Sequence, residues 1–243
     1  PPLLFRTTYI ACTEVLKQPN LLIASTLCYI LTIIVAYIGS VWFAHRGNVK
    51  RVAVSVFSSF RSNNIYLGFP VIQMAMGEAG LHEASIYVAV TTVSFQLLSI
   101  AAGEAVLYGR PSVSGILNML KKLALNPLII SCVLGVIAAA FGFPIHFVFD
   151  EAMKLMSGAA TAVALLALGG SLDLSRMGKI VKILSSTWFD TLIKLAVNPA
   201  IMCVVLFLLP ISKELFQVTV MLSAMPNAVN CFILARGMGM DSE

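Results

Sequence analysis

From Leu21 to Ala44 the chain carries no charged residue. About 20 consecutive apolar residues suffice for a helix to cross the hydrocarbon of a bilayer, so this run is long enough to span one. Comparable runs recur at Pro1–Leu16, Val52–Met76, Ala84–Tyr108, Leu123–Phe141, Phe147–Leu172, Ile180–Leu209 and Leu215–Met238, eight in all. With 59% hydrophobic and 11% charged residues and a mean hydropathy of +0.93, the chain cannot cover a water-facing surface with ions; soluble domains carry about 25% charged residues. The runs are rich in Leu, Ile, Val and Ala and lack the strict alternation of barrel strands. They predict an all-α polytopic membrane protein.

The formal net charge of +5 does not indicate nucleic acid, because the basic residues gather in short loops rather than along one amphipathic face. His45 to Arg51 is one such loop, Arg110 with Lys121 and Lys122 a second, and Arg176, Lys179 and Lys182 a third. They alternate with acidic or mixed loops at Glu78 and Glu83, at Asp150 and Glu151, and at Lys213 and Glu214. The positive-inside rule therefore places loops 45–51, 110–122 and 173–182 in the cytoplasm. Pro111, Ser112, Ser114 and Gly115 make 111–122 a linker between two halves, 1–110 and 123–243. Cys12, Cys28, Cys132, Cys203 and Cys231 all lie in apolar stretches without metal-ligand spacing, so no disulfide framework, zinc site or cofactor is expected. Both ends fall in or just after apolar runs, and the expectation is a fragment lacking a first and a last helix.

Two of the runs are interrupted alike. Ser62-Asn63-Asn64-Ile65-Tyr66-Leu67-Gly68-Phe69-Pro70 breaks one, and Met225-Pro226-Asn227-Ala228-Val229-Asn230-Cys231-Phe232 breaks the other. Pro70 and Pro226 remove backbone donors, and Gly68 tolerates dihedrals that a helix does not use. Hydrocarbon satisfies no freed backbone group, so such breaks survive only where protein or a cavity surrounds them. Aligning Asn63 with Asn227 also brings Met76-Gly77-Glu78 against Met238-Gly239-Met240-Asp241, with a slip of about two residues. An odd number of spans per repeat inverts the second half relative to the first, and paired breaks in such halves mark a carrier's substrate site.

At these residues the chain resembles the auxin efflux carrier family, the PIN-like carriers of plants and bacteria. The resemblance rests on Phe60-Arg61-Ser62-Asn63 through Gly68-Phe69-Pro70 with Gly77-Glu78, and on Ala224-Met225-Pro226-Asn227-Ala228-Val229-Asn230 with Phe232 and Ala235. Pro1 to Phe5 and Leu166 to Leu172 are similar to the ends of the family's second and seventh helices. Single pairs such as Asn126-Pro127 or Asn198-Pro199 add little. Ala162 departs from the family, which often has proline there. The resemblance implies an inverted-repeat fold of the sodium/proton-antiporter and bile-acid-symporter type: two five-helix repeats whose broken helices cross at mid-membrane, about eight helices being present here. It implies a secondary transporter moving a small organic anion, an auxin-like acid in plant members or malate or malonate in bacterial ones. The short central loop points to a multi-pass protein of a bacterial inner membrane.

Broken helices bring half-helix N-termini, each worth roughly half a positive charge, close to the bilayer centre, where their free N–H groups suit an anion. Asn63, Asn64, Asn227 and Asn230 add amides that either donate to a carboxylate or cap the severed helices. Arg61 is costly inside a span and is expected to face substrate, a protein acid or the interface. Arg6 is expected to snorkel. Asp190 and Lys194, four residues apart, are expected on one helix face, either as a neutralising ion pair or as a coupling site for H+ or Na+. His45, His82 and His146 fall in expected loops, which argues against a histidine proton relay. No catalytic constellation is visible, so an enzyme is not expected. A sodium- or proton-coupled carrier of the same architecture and a transporter-like sensor are the alternatives, and a homodimer is compatible with either.

Overall fold

The computed structural model describes residues 2, 5, 6, 9, 18–109, 125, 127–156, 159, 180–228, 231, 235 and 238–240. Among these residues every regular element is helical, and the sole β contact is one isolated bridge. The linker 111–122, Asn230 and Ala162 lie outside the described residues.

Helix α1 (Pro19–Gly39) starts on a proline, whose missing N–H is no loss in the first turn. Its buried face is Leu21, Ala24, Ser25, Cys28, Tyr29, Thr32 and Ala36, while Leu22, Ile23, Leu27, Ile30, Leu31 and Ile34 point outward. Small and polar residues inside with large apolar ones outside is the pattern of a helix that packs against protein and faces lipid. A π-helical turn, Ser40–Ala44, extends α1, and the Ser40 hydroxyl donates to Ser55 Oγ at 2.6 Å. That bond ties α1 to α2 (Val49–Ser58), whose first turn is capped by Asn48 Oδ1 accepting from Arg51 N at 3.1 Å.

After α2 the chain unwinds, resumes as a second π turn (Asn64–Gly68), and runs into α3 (Phe69–Tyr108). The connection expected around Glu78 and Glu83 is short: α3 is two helical segments that meet at Gly77, whose φ of 66° and ψ of −157° redirect the backbone, and Glu83 is helical. A left-handed dihedral costs glycine little, so no loop is required there. Gly239 also has a positive φ, 74°, so the two ends of the sequence rhyme at Met76-Gly77 and Met238-Gly239 share a backbone feature.

The remaining described helices are α4 (Pro127–Ala140), α5 (147–156), α6 (Ile180–Leu192), α7 (Asn198–Phe207) and α8 (Lys213–Ser223), with a third π turn, Ile193–Val197, joining α6 to α7. Ser212 caps α8 by accepting from Leu215 N at 3.3 Å. Helix α1 packs on α3 and α7, and α8 packs on α3 and α7. Leu21, Cys28, Tyr29, Phe60, Ile72, Met202, Leu215 and Leu222 form the principal core between them. Phe60 stacks on Tyr29 at 4.7 Å between centroids, which anchors the first break against α1.

Among the described residues two helical stretches, Pro19–Ala44 and Ser185–Phe207, are long and apolar enough to cross a membrane. Asn64–Thr92 and Ser94–Leu107, bent by 44°, make a third if they are one broken span. Eight spans were expected. Val49–Ser58 and Lys213–Ser223, the half-helices before the breaks, are too short to pass on length, and parts of the first, fifth, sixth and eighth runs fall outside the described residues.

Candidate functional site

The two breaks meet. Ser62 and Asn227 form an antiparallel bridge, in which Asn63 N donates to Pro226 O at 2.8 Å and Ala228 N donates to Arg61 O at 2.9 Å. Two extended segments, each cut from a different helix, thus satisfy one another where an intrahelical bond is impossible. Gly68 lets the first segment approach α8: a Cβ there would stand 2.5 Å from Leu222 Cδ2 and 3.4 Å from Asn63 O. Pro70 lies in the first turn of α3, a position where proline fits, and Pro226 keeps only its carbonyl for the bridge.

Asn63 is buried, and its Oδ1 accepts from Tyr66 N at 3.3 Å, capping the π turn that follows. The capping role of an asparagine in a break is therefore realised at Asn63. Asn64 Oδ1 is buried without a partner among the described residues. Asn227 is exposed beside the bridge.

Arg61 is fully buried. It donates from Nε to Cys231 Sγ at 3.2 Å and from Nη1 to Gln96 Oε1 at 2.9 Å and Ser99 Oγ at 2.6 Å, with Phe57 and Phe95 at 4.8 and 5.0 Å from the guanidinium carbon. Among the described residues its Nη2 has no partner. No carboxylate among the described residues touches the guanidinium, and its burial keeps it from an exposed surface. Its contacts among the described residues are neutral and aromatic.

The Asp190–Lys194 pair is not formed. Asp190 takes His45 instead, at 3.1 and 3.3 Å from Nε2 to its two carboxylate oxygens, and His45 is buried rather than in an open loop. His82 lies within α3, not in a loop. Lys194 donates to Ser223 O at 2.6 Å and Ser62 Oγ at 2.8 Å. Asp190 precedes the π turn Ile193–Val197 and Lys194 lies within it, and each side chain is held by a partner from a different part of the fold. Arg6, expected to snorkel, pairs with Asp150 at 2.8 Å.

Lys194 brings to the crossover a group that the sequence reading had paired elsewhere. Ser223 O, at the C-terminal end of α8, accepts from Lys194 Nζ, from Asn198 Nδ2 at 2.9 Å and from Ser62 Oγ at 3.3 Å. Asn198 Oδ1 in turn accepts from Thr32 Oγ1 at 3.3 Å, linking α1 to the break. Lys194 and Asn198, two polar residues four apart in an apolar run, were the available signal. An apolar cleft of about 540 Å³ lined by Ile33, Tyr37, Val52, Val56, Ala102 and Val106 shares no residue with this site.

The chain is similar to known transporters. A protein of Rhizobium meliloti (strain 1021) named "Putative malonate transporter" is 25% identical over 250 residues, covering 100% of this chain and 75% of the relative. A protein of Methanothermobacter thermautotrophicus named "Uncharacterized transporter" is 24% identical over 237 residues, covering 97% of this chain and 74% of its own length. The family described as "Membrane transport protein" matches residues 109–243. With paired helix breaks inside lipid-facing helices and that match over more than half of its length, this chain belongs to the membrane transport protein family and is an integral membrane transport protein rather than an enzyme.

Proposed function

We propose that the crossover binds a small organic carboxylate and carries it across the membrane by alternating access, in an elevator-like or rocking movement. The observation that carries this reading is the bridge between Ser62 and Asn227, flanked by two buried cations with no acid in contact among the described residues. A site whose fixed charges are positive and whose remaining groups are amides and helix termini favours an anion. Asn227 is the accessible amide, Asn63 retains Nδ2 donors after its oxygen has capped the helix, and Arg61, Asn64 and Asn230 complete the proposed contacts. The "Putative malonate transporter" relative makes malonate the first substrate to try. We place the site between inverted halves 1–110 and 123–243, joined by 111–122, and orient the basic loops to the cytoplasm of a bacterial inner membrane.

Uptake of radiolabelled malonate, malate and an auxin-like acid into proteoliposomes tests the reading. The protein should accumulate at least one of them, and Asn227→Ala should reduce that uptake on the order of 10-fold or more, the loss expected for one charge-assisted hydrogen bond. Wild-type uptake by Asn227→Ala would remove Asn227 from the site, and no uptake of any carboxylate would refute the substrate class.

A further inference from the structure

We propose that the ammonium of Lys194 is a tethered replacement for the coupling cation, occupying a cation site that the crossover would otherwise present, so that the carrier needs no sodium. The site it fills is made of oxygen. Ser223 O is a main-chain carbonyl at the end of a severed helix, where the negative pole of α8 emerges, and Ser62 Oγ is a hydroxyl on the opposing break. Severed-helix carbonyls of this kind are what coordinates sodium or receives a proton in discontinuous-helix carriers. Here one such carbonyl, Ser223 O, lies 2.6 Å from Nζ and the Ser62 hydroxyl lies 2.8 Å from it, and Lys194 is 2% exposed.

The charge arrangement supports the assignment. A lysine buried to this degree is retained when it is paired or strongly hydrogen-bonded. Lys194 has no carboxylate among the described residues, because Asp190, the nearest acid along its helix, is held by His45. Its stabilisation comes from a helix C-terminus and a hydroxyl, the groups that hold a small hard cation. The π turn at Ile193–Val197 carries Nζ to that position, and Asn198 braces the same carbonyl from the next turn at 2.9 Å. The ammonium thus links the two breaks, touching Ser62 of one and Ser223 at the edge of the other.

This inference rests on the crossover being the transport site, but its test does not require transport. Binding of ²²Na⁺ to the purified protein should be undetectable in wild type. It should appear in Lys194→Ala, which vacates the oxygen ligands, and should be lost again in Lys194→Ala combined with Ser62→Ala. In proteoliposomes, wild-type uptake should be the same in sodium, potassium and choline. Lys194→Ala uptake should fall on the order of 10-fold in choline and recover with sodium or methylammonium, either of which restores a cation to the site. Sodium binding or sodium-dependent uptake by wild type would overturn the proposal. So would a folded Lys194→Ala that transports equally in every salt or gains no sodium site. If Lys194→Ala aggregates even in sodium and methylammonium, a free cation cannot replace the tethered one and the proposal fails. Cation binding that behaves as described, with no carboxylate uptake by wild type, would leave this inference standing while refuting the proposed substrate.

Discussion

Asp190 turns its carboxylate to His45, 3.1 Å away at the end of another helix, and not to Lys194 on its own. This pair joins the chain just after the π turn Ser40–Ala44 to the one just before the π turn Ile193–Val197. Phe189, beside Asp190, packs edge-on to His45 with 6.4 Å between ring centroids and closes over Gly39. The expected consequence is mechanical. Asp190→Asn should lower stability by about 1–3 kcal/mol by leaving the His45 ring poorly partnered, while substrate affinity stays within about two-fold of wild type. Thermal unfolding of the purified protein and a binding isotherm check the two halves of this statement, and a loss confined to affinity would contradict it.

Gly68 should resist substitution. Alanine there meets Leu222, and overpacking of this kind costs about 1–3 kcal/mol. Combining Gly68→Ala with Leu222→Ala should recover part of the loss, because the clash is with one side chain. Comparing the melting temperatures of the two single variants and the double gives the coupling energy, and strict additivity would show that the contact is not the cause.

Asn63 and Asn227 should separate by chemistry. Asn63→Ala removes the cap on Tyr66 N and should destabilise by about 1 kcal/mol, whereas Asn63→Ser keeps a capping oxygen and should stay near wild type in stability. Asn227→Ala removes an exposed side chain and should leave the melting temperature unchanged while uptake is lost. Melting curves for the three variants, read beside their uptake rates, distinguish a cap from a ligand.

Arg61→Lys should be poorly tolerated despite conserving charge. The guanidinium uses Nε and Nη1 on three different partners and lies against two rings, a geometry an ammonium does not reproduce. A loss of about 1–3 kcal/mol in unfolding free energy is expected, from Gln96 and Ser99 left without their donor. Full stability in Arg61→Lys would mean that charge alone holds the site.

Gly77→Ala should cost about 1–3 kcal/mol, since its φ of 66° with ψ of −157° lies in a region that residues with a Cβ essentially do not adopt. Nothing stands within 4 Å of the added Cβ, so the penalty would come from the backbone alone. Thermal unfolding of Gly77→Ala checks it, and an unchanged melting temperature would mean that the kink relaxes without cost.

Much of this architecture was legible in the residues. The charge-free run to Ala44 specified a span, and the clustered Asn, Gly and Pro specified both breaks, because each of these residue types changes what the backbone can do locally. Resemblance, together with the repeated pattern, brought the breaks together. What could not be read was register. Asp190 and Lys194 counted as neighbours on an α-helical wheel, and nothing local to His45, read as a loop residue, showed that it is buried against Asp190. Gly77 was read as part of a loop because glycine beside acidic residues looks the same whether the chain leaves the helix or only turns within it. Arg6 found Asp150 through a contact between residues 144 positions apart, a distance over which periodicity carries no information.

Three π turns lie in the described chain, and each amounts to an α-helix with one residue too many, accommodated as a local widening. Deleting a single residue from Ile193–Val197 would let the ladder close as ordinary α-helix and rotate everything before it by one position, about 100° around the axis. Asp190 would swing away from His45, and Lys194 would be re-aimed relative to the carbonyl it serves. That surplus residue is a splice in the helix, and the angular offset it creates lets one rod address two partners that a straight one could not reach together.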